Sequence, residues 1–349
     1  MKKIFALISA IIISTININF YASASVVTTD STYNYSLTIP NFVQYVIDNE
    51  NMGDIAYSHN LMNADNETVA YCLDFNNAYI IYDTNGEIVE YSECNESPLD
   101  GIYEDVYYTG PLSYYTCAGN EYIDILSEEA ISSEQLKRES ESFECLTESI
   151  AIKESEIASI NAPDQTYATS DLRKVKTALK AKPRILDYNR GTNLCGSLAT
   201  TTLLCYYYDN IDSSILLSNY ANNPRSLFQK LNNYIPGDCN RYQIRDGLNA
   251  VFSSISSKTK TINTTGVQGS SETIWEQYSY LISANKIPSI LLLFEHPSYE
   301  NHWVVTYGVI KYYDSNNKLV KKQFVVNNGY DRNDVKIGSS YGSSLVWFS

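Results

Sequence analysis

Charge divides this 349-residue chain into two parts, and that division constrains its architecture more than any other feature. From Ser25 to Gln165 there are 27 acidic residues and three basic ones (Lys137, Arg138 and Lys153), a net of −24. From Thr166 to Ser349 there are 13 acidic and 20 basic residues, a net of +7. One uniform surface does not produce such a split, so the two parts are expected to be distinct domains. Opposite net charge favours docking one on the other through a long-range attraction that salt weakens. The overall charge of −15 repels phosphate and excludes nucleic acid as a partner. With 44% hydrophobic residues and 31 Tyr among its aromatics, the chain has ample material for folded cores.

The N-terminus reads as an export address. Lys2 and Lys3 precede the apolar run Ile4 to Ile13, too short to span a bilayer, and Ala22-Ser23-Ala24 supplies small residues for cleavage. Residues 1–24 are therefore expected to be a signal peptide, and the mature protein secreted, with no membrane association once that peptide is removed. The seven cysteines (Cys72, Cys94, Cys117, Cys145, Cys195, Cys205 and Cys239) are an odd number without metal-type spacing, so at least one free thiol is expected. Only three His residues are present, and neither a metal nor a cofactor is expected. Asp331 and Asp334 read as a solvated acidic turn rather than a calcium loop.

Within the acidic part, Thr68 to Asp83 reads as strand, Thr84-Asn85-Gly86 as a turn and Glu87 to Tyr91 as the returning arm of a hairpin. Tyr-rich loops are expected from there to Tyr115. Ser132 to Ile160 reads as a helix with Leu136, Phe143, Ile150 and Ile157 on one face, ended by Asn161-Ala162-Pro163. In the basic part, Leu172 to Ala181 reads as a short amphipathic helix or arm whose lysines face the acidic part. Helices follow at Cys195–Asp209, Pro224–Tyr234, Tyr242–Ser256 and Ser271–Ala284. Strands are then expected at Ser289–Phe294, His302–Tyr312, Val320–Asn327 and Leu345–Phe348. Helices followed by an antiparallel sheet make an α+β arrangement.

Three residues stand where chemistry is possible. Cys195 opens a helix in Asn193-Leu194-Cys195-Gly196-Ser197, where backbone N–H groups and the helix dipole stabilise a thiolate and a developing oxyanion. His302 opens an apolar strand after a polar loop, a placing that presents its ring at a cleft edge. The competing His296 precedes Pro297 in a loop, and His59 lies in the acidic part. Asn327 ends a strand just before Asn328-Gly329-Tyr330 and is suited to orient an imidazole in a nucleophile–base–orienter triad.

Taken together, the order of Cys195, a long helical stretch, His302 on a strand and Asn327 before a Gly-aromatic turn resembles the papain-like cysteine peptidases. Cys195, Gly196 and Ala199, with Val326-Asn327-Asn328-Gly329-Tyr330, are closest to the streptopain-like and related bacterial secreted branches. The resemblance covers roughly residues 166–349. It implies a catalytic domain with a helical half around a central nucleophile helix and an antiparallel β-sheet half. By the same resemblance Cys195 is the nucleophile, His302 the base and acid, and Asn327 the orienter. The family's oxyanion glutamine has no Gln counterpart; Asn189 and Asn193 are the nearest amides. Residues 25–165 take the place of a smaller α+β prodomain, an intramolecular inhibitor released by cutting between Pro163 and Asp171. The function implied is a secreted zymogen that hydrolyses peptide or protein substrates. Two other readings stay open: a cell-wall amidase or transglutaminase-like acyl transferase, and an inactive secreted binding or inhibitor protein on the same scaffold.

Overall fold

The computed structural model describes residues 38–160, 172–186, 188, 194–258, 260–266, 271–293 and 302–349. The signal peptide, the expected release segment 163–171, Asn189, Asn193 and His296 lie outside the described residues.

The acidic half runs α1 (Asn41–Asn49), β1 (Tyr57–Met62), β2 (Thr68–Phe75), β3 (Ala78–Asp83), β4 (Ile88–Ser92), β5 (Val106–Gly110), β6 (Ser113–Ala118), β7 (Glu121–Asp124), β8 (Ala130–Ser132) and α2 (Ser133–Ile160). The basic half runs β9 (Arg173–Ala178), α3 (Cys195–Asn210), α4 (Ser218–Ala221), α5 (Pro224–Asn232), α6 (Arg241–Ile255), β10 (Ile262–Gly266) and α7 (Ser271–Tyr280). A π-helical turn (Leu281–Asn285) leads to β11 (Ser289–Leu293), β12 (His302–Tyr313), β13 (Leu319–Asn327), β14 (Val335–Gly338) and β15 (Gly342–Phe348).

Among the described residues these strands form one mixed sheet, in the order β10-β15-β11-β12-β13-β14-β4-β3-β2-β1-β5-β6-β7-β8. Only β1 and β5 pair in parallel. The charge boundary is not a boundary of the sheet, because β14 of the basic half pairs with β4 of the acidic half, setting Lys336 opposite Tyr91 and Ile337 opposite Glu90.

Alternation along the central strands sorts the core. Ile290, Leu292, Trp303 and Val305 pack on one face against Leu198, Leu203, Leu231, Leu248 and Val251 of the helical layer. Leu291, Val304, Phe324 and Val326 belong to the other face, where they share a core with Trp275 and Tyr278 of α7 and with Tyr79, Ile81, Val89, Tyr108 and Phe143 of the acidic half. Each such side chain, taken fully out of water, contributes roughly 1.5–3 kcal/mol. Apolar contact therefore joins the halves beside their charge complementarity. The ion pairs are also present: Lys174–Glu50, Lys176–Glu93 at 3.9 Å and Lys321–Glu87 at 2.5 Å.

Two local expectations are corrected. The segment expected as a helix or arm from Leu172 is strand β9, paired antiparallel with the stretch of β12 from Gly308 to Tyr313. Its lysines do reach Glu50 and Glu93 of the acidic half, but from a strand. The expected Tyr-rich loops contain β5 and β6, whose Tyr107, Tyr108, Tyr114 and Tyr115 are buried. Tyrosine suits a half-buried pleated surface, so a Tyr run with few breakers is strand material. The turn at Asn85-Gly86 is as expected, with Gly86 at φ +85° and no room for a Cβ beside Pro40. Leu136, Phe143 and Ile150 form the buried stripe of α2.

Candidate active site

Cys195 is the first residue of α3, a helix in which every residue from Cys195 to Tyr207 is buried. A helix buried on all sides belongs in a core, and this one packs between the sheet and α5 and α6. Its N-cap, Leu194, has no polar side chain to cap the first turn. Gly196 is required by what lies against it. A Cβ there would stand 2.3 Å from the Cys239 sulfur and 3.5 Å from Cδ1 of Trp303. Trp303 is fully buried and its indole N–H donates to the Cys239 carbonyl at 2.7 Å. The residue after the thiol thus packs against the indole of the residue after His302. This contact brings the start of α3 to the start of β12.

His302 is paired with Leu293 of β11 and is half-buried. Its Nε2 lies 2.8 Å from the carbonyl oxygen of Asn328, and its ring stacks on Tyr330 with centroids 5.1 Å apart and planes within 2°. A carbonyl only accepts, so Nε2 carries the proton and the neutral ring presents Nδ1 as its basic atom. Desolvation holds the imidazole down to about 4, against the opposing pull of the Asn328 carbonyl. At neutral pH the ring is an uncharged base.

The carbonyl is aimed by a tight polar loop. The Asn328 side-chain oxygen accepts from the N–H groups of Tyr330, Asp331 and Arg332 at 2.9 to 3.1 Å. Gly329 adopts φ +80°, a conformation that suits Gly. Asn327, expected as the orienter, instead uses its side chain within the loop: its oxygen accepts from Gly329 N at 3.1 Å and its amide donates to Asn333 at 3.1 Å. The hydrogen-bond partner on the imidazole comes from the next residue. The reason is register: Asn327 is still paired in β13, opposite Val305, whereas the Asn328 carbonyl belongs to the turn. A backbone acceptor carries no side-chain signature, so only the neighbouring Asn-Gly turn hinted at it.

None of the seven cysteines is joined in a disulfide. Burial pushes Cys72 and Cys239 well up and Cys205 up to about 11, so these three stay protonated and unreactive at neutral pH. The acidic half contains a grouping that the sequence reading passed over. His59 Nε2 meets Asp74 at 3.0 Å, and the Cys72 thiol donates to the other oxygen of Asp74 at 3.0 Å. Cys72 and Asp74 lie two apart on one strand face, and His59 is opposite Cys72; the i, i+2 spacing was the available signal. Asp334 pairs with Lys182 and accepts from the Tyr307 hydroxyl at 3.0 Å. Among the described residues no group of three or more His, Cys, Asp or Glu is placed to hold a metal, and no helix is long and apolar enough to cross a membrane.

No family model and no curated protein matches the chain. Among solved structures it is similar to a fragment of Prevotella intermedia prointerpain A, a cysteine-to-alanine mutant. The two are 12% identical with a TM-score of 0.38, over 83% of this chain and 97% of that one. It is also similar to the Pseudomonas avirulence protein AvrPphB, at 15% identity and a TM-score of 0.23, over 48% of this chain and 96% of that one. At these identities and scores neither likeness bears on the chemistry of the site.

Proposed function

We propose that the chain is a secreted cysteine peptidase precursor of papain-like type. The observation that carries the reading is the shared corner of α3 and β12: a thiol at the start of a buried helix, beside a strand whose first residue is an uncharged, Nε2-protonated imidazole. His302 Nδ1 takes the Cys195 proton as the sulfur attacks a peptide carbonyl, and returns it to the leaving amine. Water then cleaves the acyl-enzyme, with the same nitrogen as base. First-turn N–H groups of α3, with the Asn189 or Asn193 amide, would stabilise the oxyanion. The Asn328 carbonyl and the Tyr330 ring hold the imidazole, and Asn327 braces the loop behind them.

The acidic half is the inhibitory prodomain in this reading. Support comes from its ion pairs with β9 and β13 and from its hold on the loop behind His302, where Asn95 donates to the Asn333 carbonyl at 2.8 Å and Ser92 to that of Asp334 at 3.2 Å. Removing it by a cut within 163–171 frees that loop to open the cleft.

The test is alkylation by a thiol reagent, mapped by mass spectrometry, with peptide hydrolysis measured before and after the cut. Stoichiometric modification of Cys195 that disappears in His302→Ala, and a more active cleaved protein, are expected. Equal labelling of several cysteines regardless of His302 would end the peptidase reading. A cleaved protein no more active than the precursor would end the prodomain role alone.

A further inference from the structure

The acidic half holds a cavity of ≈ 320 Å³, remote in sequence from Cys195 and His302, whose lining includes Tyr57, His59, Asp74, Glu96, Asp100 and Tyr103. Its chemistry is specific. The inner wall is the buried His59–Asp74 pair, each residue less than a tenth exposed. The Tyr57 ring meets His59 edge-on at 4.7 Å, and Tyr103 meets Tyr57 at 6.4 Å with planes 85° apart. Tyr103 is 85% exposed and Tyr57 49%. Two large aromatic faces left in water beside a cavity are poorly explained by packing. Glu96 and Asp100 are exposed, and among the described residues neither carboxylate has an ion-pair partner. The nearby cation, Arg332 of the basic half, spends its guanidinium on the Glu96 carbonyl and on Asp331.

A site of aromatic walls and uncompensated carboxylates, within the half that carries the −24 charge, favours a cation with a flat apolar face. A guanidinium meets both demands: it stacks on a tyrosine ring and gives two parallel N–H donors to a carboxylate. The cavity volume lies at the small end of ordinary ligand sites, enough for one long side chain. We propose that this cavity is a recognition pocket for a single arginine side chain of a peptide or protein. The pocket does not use the Cys195 thiol, so it stands or falls apart from the peptidase reading.

The test is titration of the full chain with Nα-acetyl-arginine amide, followed by calorimetry, with the citrulline analogue as the neutral isostere. Tyr103 and Asp100 are exposed, so Tyr103→Ala and Asp100→Asn leave the fold intact. Saturable one-to-one binding is expected, at least ~10-fold weaker for citrulline and reduced roughly 3- to 10-fold by each cavity variant. Glu134→Gln, a charge change on α2 outside the cavity lining, is expected to leave it unchanged, as is Cys195→Ala. Absence of saturation, equal binding of citrulline, or indifference to both cavity variants would overturn the proposal. Equal losses in Glu134→Gln would overturn it too, as general attraction to an acidic surface.

Discussion

In the acidic half, the Cys72 thiol donates a hydrogen bond to Asp74, and the same carboxylate holds the His59 ring. In the basic half, Cys195 opens a buried helix and His302 opens a strand with its ring held by a neutral carbonyl. Each half thus offers a cysteine and a histidine, and their surroundings differ. Burial and the negative Asp74 raise the Cys72 thiol well above its ordinary range, and Asp74 leaves it no base to give its proton to. A carbonyl on the far side of an imidazole, by contrast, fixes the tautomer and leaves a lone pair for a proton to arrive. Reactivity is set by what surrounds the sulfur, and a cysteine–histidine count would miss it.

The largest effect that follows is on turnover. Cys195→Ala is expected to lower peptide hydrolysis by about 10³-fold or more, while Cys72→Ser stays within about twofold. Steady-state hydrolysis of a peptide substrate by folded protein measures both. Comparable losses in the two variants would erase the distinction between the halves.

A second measurement sharpens the base. With the imidazole held down to about 4, it is unprotonated above that pH and able to accept the thiol proton. Hydrolysis should therefore fall as pH drops through about 4, roughly tenfold per unit, rather than near 6.5, the ordinary value for His. The same shift has a stability sign. The unfolded chain binds the His302 proton between about 6.5 and 4 and the folded chain does not, so folding weakens as pH falls across that window. An acid limb centred near the ordinary histidine value would mean that the ring is solvated in the working enzyme.

The helices and most strands of the basic half were legible because their signals are local. The helical stretches at Pro224–Tyr234 and Tyr242–Ser256 and the apolar run opening at His302 each carry their pattern within one segment, as does the Leu136, Phe143, Ile150 stripe of α2 in the acidic half. The placing of Cys195 at the start of a helix and of His302 at the start of a strand was legible from local patterning. What escaped is non-local. Arg173–Ala178 takes its strand form from an edge of β12 more than 100 residues away, and no local pattern announces that edge. The same holds for β14, whose pairing with β4 carries the sheet across the charge boundary. A charge split reports which surfaces attract, but not that the backbones will pair. The sequence points to the Asn327 side chain as orienter because a side chain can be read from sequence, whereas the direction of the Asn328 carbonyl cannot.

The seam between the halves gives the smallest and most specific effect. There β4 and β14 bury one ionisable group from each side. Lys336 is fully buried over the Tyr91 ring, paired with Glu93 and donating to the Asp334 carbonyl at 2.7 Å; burial lowers it to about 7. Glu90 is fully buried, accepts from Leu112 N at 2.8 Å and from the Tyr114 hydroxyl, and burial raises it to about 8. The folded protein thus keeps the Glu90 proton between about 4.5 and 8, whereas the unfolded chain has lost it. Stability from this group is fully present at the acid end of that window and is lost as pH rises through about 8. Glu90→Gln keeps the shape without titrating: its amide oxygen can accept from Leu112 N while its NH2 group donates to the Tyr114 hydroxyl oxygen. It should be nearly neutral near pH 4.5 and gain on the native chain as pH rises from about 4.5 to about 8, by at most about 1.4 kcal/mol per unit, with no further gain above that window. Lys336 titrates in both proteins and cancels in the difference. Urea unfolding of the pair at the two ends of that window, near pH 4.5 and near pH 8, reads the effect. A difference independent of pH would mean that Glu90 is charged in the fold, and that the seam tolerates a buried carboxylate as well as a buried amine.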